Sequence, residues 1–122
     1  MSKAVALLLL LVLFGALLWL WRGQARADTL RPGTTAPDFV LPDAQGAQRQ
    51  LADYRGERVL LYFYPRADRP GCTREACAFR DGYRELRRLG VQVVGISVDP
   101  PPAQQAFARK YALPFPLLSV AD

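Results

Sequence analysis

The hydrophobic pattern divides the chain into two parts. Residues 4 to 21, AVALLLLLVLFGALLWLW, run without a charge, whereas beyond residue 37 short apolar runs alternate with polar, proline and glycine breaks. Phe39-Val40-Leu41 and Gln48 to Leu51 flank Pro42-Asp43-Ala44-Gln45-Gly46, which predicts two short strands joined by a turn. A loop follows around Tyr54-Arg55-Gly56-Glu57. Val59 to Tyr64 is apolar without alternation, as a strand covered on both faces of a parallel sheet would be, and it stops at Pro65. From Cys72 the positions 72, 76, 79, 83 and 86 step by three and four, so a helix with one buried face runs to about Gly90. Val91 to Val98 is a second apolar strand, and the order strand, helix, strand implies a right-handed crossover with a parallel pair. Prolines 100 to 102 open a short helix carrying Phe107 and Tyr111, after which Leu113 to Leu118 returns to the sheet. The expected organisation is a leader over 1–27, a linker over 28–37 and an α/β domain over 38–122.

The leader has two readings. An apolar run of this length is near the ~20 residues that cross a bilayer as a helix, and longer than the ~7–15 of a secretory signal. Trp19 and Trp21 at its end suit an interfacial aromatic belt. These features favour a retained anchor with the domain on the exported side. A signal cleaved after Ala25-Arg26-Ala27 is the alternative.

Charge narrows the partners. The net charge is +5, but Lys3, Arg22 and Arg26 flank the leader, which leaves 13 basic against 11 acidic residues from Asp28 onward. They are interspersed, as on a solvated surface, and do not form a nucleic-acid footprint.

The chain has two cysteines and no histidine. Cys72, preceded by Pro70-Gly71, falls in the first turn of its helix, where unpaired N–H groups and the macrodipole favour an anion. A small buried apolar residue sharing a face with Phe79 and Tyr83 is the alternative. Cys77 lies five residues on, at a Cα separation of roughly 8–9 Å in a helix, beyond the ~7 Å limit of a disulfide. The pair therefore bonds only if the first turns unwind, which suits a transient disulfide better than a structural one. Zinc would lack two of its usual four ligands.

The residues around the cysteines resemble the peroxiredoxin family, in its peroxiredoxin Q or bacterioferritin comigratory protein branch. The likeness is carried by Pro37-Asp38-Phe39, Tyr54-Arg55-Gly56, Tyr62-Phe63-Tyr64-Pro65, Pro70-Gly71-Cys72-Thr73, Glu75-Ala76-Cys77, Phe79-Arg80-Asp81, Gly95-Ile96-Ser97 with Asp99, and Phe115 to Ser119. It implies a thioredoxin-like fold and reduction of hydrogen peroxide and organic hydroperoxides, with electrons from thioredoxin or a similar dithiol. It further implies that Cys72 is the peroxidatic and Cys77 the resolving cysteine, that Pro65 shields the site, and that no metal, haem or flavin takes part. A monomer is expected.

Three departures stand out. In the family's Pro-x-x-x-Thr-x-x-Cys pattern, Arg69 replaces the threonine, and a guanidinium cannot accept a hydrogen bond as a hydroxyl does. Arg69 is kept as a site residue for its charge. Gln104 stands where many relatives have histidine. The family continues past Leu118-Ser119 with strands, a helix and an active-site arginine, so the sequence reads as a fragment of a longer protein or as a truncated, inactive product with an exposed sheet edge. Arg74 and Arg80 are weak substitutes for that charge. An exported thiol-disulfide oxidoreductase remains a separate reading, although it would normally carry C-x-x-C.

Overall fold

A computed structural model of the chain describes residues 2–22 and 30–120, and divides into two units, Met1–Ala36 and Pro37–Asp122. In the first, α1 (Lys3–Arg22) is helical as the apolar run requires, and its described side chains are exposed on every side. Among the described residues no helix is long and apolar enough to cross a membrane. Ala25-Arg26-Ala27 and the first residues of the 28–37 linker lie outside the described residues.

In the second unit, β1 (Val40–Pro42) and β2 (Gln48–Gln50) form an antiparallel hairpin with Val40 opposite Gln50. Asp43 closes its turn from a buried position, accepting the N–H groups of Gln45 (2.9 Å) and Ala47 (3.0 Å) and Nε of Arg49 (2.9 Å). A single 3₁₀ turn, Leu51–Tyr54, occupies the stretch before the loop expected at Tyr54 to Glu57. Then come β3 (Arg58–Phe63), α2 (Pro70–Arg88), β4 (Val91–Ser97), α3 (Pro101–Lys110) and β5 (Leu117–Ser119). The three strands form a parallel sheet in the order β3-β4-β5, with Tyr62 beside Gly95 and Gly95 beside Leu117.

Alternation of side chains across the sheet explains the uninterrupted apolar runs. Tyr62, Val93 and Leu117 face one cluster, which receives Cys72, Ala76, Phe79, Tyr83 and Leu86 of α2 and Phe107 of α3. Val94, Ile96 and Leu118 face the other, which receives Phe39, Leu41 and Tyr54 from the hairpin side. The five helix positions picked out by spacing are therefore the packed ones. The helix itself begins earlier than expected, at Pro70, where a residue without an N–H loses nothing. Gly90, at φ +75°, takes the left-handed conformation just past its end.

Gly95 is required by packing. A Cβ there would stand 2.9 Å from Leu117 Cδ2 and 3.0 Å from the Tyr62 ring. Gly95→Ala is accordingly expected to destabilise the chain by about 1–3 kcal/mol, read as a lower urea midpoint at unchanged m-value.

Candidate active site

The site is built on the segment from β3 to α2. Tyr64 N–H still bonds Ile96 O (3.1 Å), and the ladder ends at Pro65, which has no N–H to give. Ala67 N–H then donates to Asp99 Oδ2 (2.7 Å), tying the segment to the end of β4. Asp68 adopts a left-handed φ of 63°, which short polar side chains tolerate best, and its carboxylate meets Lys110 Nζ (3.0 Å) and Tyr111 Oη (2.9 Å) at the end of α3. Arg69 is extended and caps α2 through its carbonyl, which accepts Thr73 N–H at 2.8 Å.

These ties aim the start of α2. Pro70, Gly71 and Cys72 are its first three residues, so Cys72 lies among the N–H groups that have no partner within the helix. Its thiol is half-buried against the Tyr62 and Tyr64 cluster, at the positive end of the helix dipole. Cys77 is half-buried a turn and a half further along the same continuous helix, and both thiols are free. Arg69 is exposed, and its side chain makes no capping bond. Pro65 is exposed as well; it lines a cavity of about 350 Å³ with Phe63, Tyr64, Ile96 and Val98 at the C-terminal ends of β3 and β4. Among the four residues singled out by sequence, Cys72 and Cys77 thus share α2, while Pro65 and Arg69 bracket the segment leading into it. Arg80 is engaged elsewhere, by Asp81 (3.0 Å) and by Tyr111 O (2.8 Å). Among the described residues no cluster could hold a metal ion.

A buried polar chain behind the segment escaped the sequence reading. Gln104 has no exposed surface; it accepts the Tyr64 hydroxyl and donates to Ser97 Oγ (2.9 Å) and Leu118 O (2.9 Å). Ser97 Oγ in turn donates to Asp99 Oδ2 (2.8 Å), the same oxygen that receives Ala67 N–H. Three elements, β4, α3 and β5, and the segment before Cys72 are joined in this way. An amide can serve one donor and two acceptors at once, whereas a neutral imidazole offers one donor and one acceptor. The signal available in sequence was Ser97-x-Asp99 at the end of an apolar strand. Burial pushes the Tyr64 phenol up to about 12 despite the pull of Ser97 and Gln104, and burial also pushes Tyr62 well up.

Comparison with known proteins agrees with this geometry. Residues 32–121 match the AhpC/TSA family. Peroxiredoxin Bcp of Escherichia coli K12 is 52% identical over 95 residues, which are 78% of this chain and 61% of that protein. The crystal structure of peroxidoxin BcpB from Mycobacterium tuberculosis superposes with a TM-score of 0.72 at 43% identity, over 75% of this chain and 60% of that one. A structure of the Xanthomonas campestris bacterioferritin comigratory protein, from work on its alkyl peroxide reduction, superposes at 0.65 and 31% identity, over 66% and 51%. The chain thus spans under two thirds of the length of the relatives it matches.

The raised Tyr64 value has a testable sign. An unfolded phenol ionises near 10 and the folded one near 12, so the stability tied to neutral Tyr64 is complete below pH 10 and is lost as pH rises through 12. Thermal midpoints are expected to fall steeply over that window, and Tyr64→Phe to flatten the fall.

Proposed function

The chain belongs to the AhpC/TSA family, in its peroxiredoxin Q and Bcp branch, and from that premise we propose that it is a thiol peroxidase acting through Cys72. The observation that carries this reading is the place of Cys72 as the third residue of α2, at the end of a segment fixed by Asp99 and Asp68. The substrates are hydrogen peroxide and organic hydroperoxides. The likeness to the Xanthomonas campestris protein studied for alkyl peroxide reduction supports the second class.

In the first step the Cys72 thiolate attacks one peroxide oxygen. The O–O bond breaks, the other oxygen leaves as water or alcohol after taking a proton, and Cys72 becomes a sulfenic acid, oxidised by two electrons. In the second, the Cys77 sulfur attacks Cys72, the hydroxyl departs as water and a disulfide forms. A thioredoxin-like dithiol protein then reduces that bond and is itself oxidised. Cys72 lies at the positive end of the helix dipole, among the N–H groups left unpaired by the helix, and Arg69, three residues before it, stands in place of a hydroxyl. Pro65 shields the approach. The chain acts as a monomer and needs no metal or organic cofactor.

In the same proposal residues 4–21 tether the domain to a membrane on its exported side. The support is the run of exposed apolar side chains from Leu7 to Trp19, without a charged face, which a lipid environment would cover.

Intact mass of the reduced full chain after one equivalent of hydrogen peroxide tests the chemistry. The parent is expected to lose two hydrogens, Cys77→Ser to gain one oxygen, and Cys72→Ser to do neither. A parent mass that stays unchanged would remove the proposal.

A further inference from the structure

Tyr62 lies under the cysteine helix with its hydroxyl unused. It is 7% exposed, its ring is 4.8 Å from that of Phe79 of α2 and 6.0 Å from Phe115, and Gly95 closes its other side. Cys72 packs on the same cluster. The Tyr62 hydroxyl is buried and has no hydrogen-bond partner among the described residues. Buried polar groups are nearly always paired, and one that is not penalises the conformation that buries it. The hydroxyls of Tyr54 and Ser119 share this condition, but Tyr54 belongs to the opposite cluster and Ser119 to β5. Of the three, Tyr62 is the one in ring contact with α2. Burial keeps the phenol protonated, so it remains a donor in search of an acceptor.

A second observation says which conformation relieves the penalty. Cys72 and Cys77 sit in an uninterrupted helix, where their Cα atoms are roughly 8–9 Å apart and no disulfide closes. Resolution therefore requires the first turns of α2 to open. Opening breaks bonds such as Thr73 N–H to Arg69 O and frees backbone carbonyls in the turn that carries Cys72, whose side chain packs on the same cluster as Tyr62. Those carbonyls, and the water admitted with them, are acceptors that the closed helix withholds.

We propose that Tyr62 is a positioning residue for the resolving step: its unpartnered hydroxyl destabilises the closed helix, is satisfied when the first turns of α2 open, and so raises the population in which Cys77 reaches the Cys72 sulfenic acid. The reaction it serves is the condensation of that acid with the Cys77 thiol to a disulfide and water, so the inference rests on the peroxidase reading. The hydroxyl takes no electrons and gives up no proton.

Tyr62→Phe removes the hydroxyl and keeps the ring. In the reduced full chain, held in detergent micelles, amide hydrogen exchange at residues 72–77 is expected to slow about tenfold, equivalent to about 1.4 kcal/mol, and the thermal midpoint to rise. After one equivalent of hydrogen peroxide, the ratio of disulfide closure to sulfenic acid formation, the latter captured with dimedone, is expected to fall about tenfold. Exchange at 72–77 that is unchanged or faster would overturn the proposal. A lower thermal midpoint would overturn it too, since it would mean that the hydroxyl is partnered in solution. Failure of the parent to form a sulfenic acid at Cys72 would instead count against the peroxidase reading, and the exchange comparison would still decide the role of Tyr62.

Discussion

The distance between two side chains on a regular helix governs the rest of this molecule. Five residues of α2 hold Cys72 and Cys77 apart, so the geometry that presents Cys72 to solvent at a helix N-terminus is one that forbids its bonding to Cys77. Chemistry that uses both sulfurs needs a helix that is formed in one step and open in the next. The fold must therefore fix where α2 begins while leaving its first turns free to come apart.

The division of interactions meets that requirement. The segment entering α2 is held from outside the helix, by Asp99 on Ala67, by Lys110 and Tyr111 on Asp68, and by the buried Tyr64, Gln104 and Ser97 chain behind them. Further along, the helix is held by aromatic contacts of Phe79 with Tyr62 and of Tyr83 with Phe115. Between these anchorages lies the stretch with the cysteines, in which Ala76 is the one fully buried residue and both thiols are half-exposed. Opening there would uncover Ala76 and Cys72, while the ties on the entering segment and the aromatic contacts further along are made outside that stretch.

Much of this was legible in the sequence because it depends on local periodicity. The three- and four-residue spacing of Cys72, Ala76, Phe79, Tyr83 and Leu86 gave the packed face of α2, and the unbroken apolar runs gave β3 and β4 as strands packed on both faces, except that Phe63 at the end of β3 is exposed. The family resemblance rested on short contiguous motifs and was equally readable. The 3₁₀ turn at Leu51–Tyr54 was not, since it has too few residues for a period to show. Nor was the Gln104 chain, whose partners Tyr64 and Leu118 lie 40 and 14 residues away. A buried glutamine is indistinguishable from a surface one until topology brings its acceptors and donors together. Asp43 was missed likewise: read as a turn residue, it is a buried carboxylate satisfied by two amides and Arg49.

Gln104 has a further consequence. Histidine is the side chain whose ordinary titration falls between pH 5 and 8, and this chain contains none. The amide that links Tyr64, Ser97 and Leu118 carries no ionisable proton, and the phenol it holds stays neutral to about pH 12. Where an imidazole would make the scaffold respond to acidification, this one keeps the same donors and acceptors. Acidification would thus leave this amide link unchanged, and the response of the scaffold would fall instead on carboxylates such as Asp43 in the hairpin turn and Asp68 at the entry to α2.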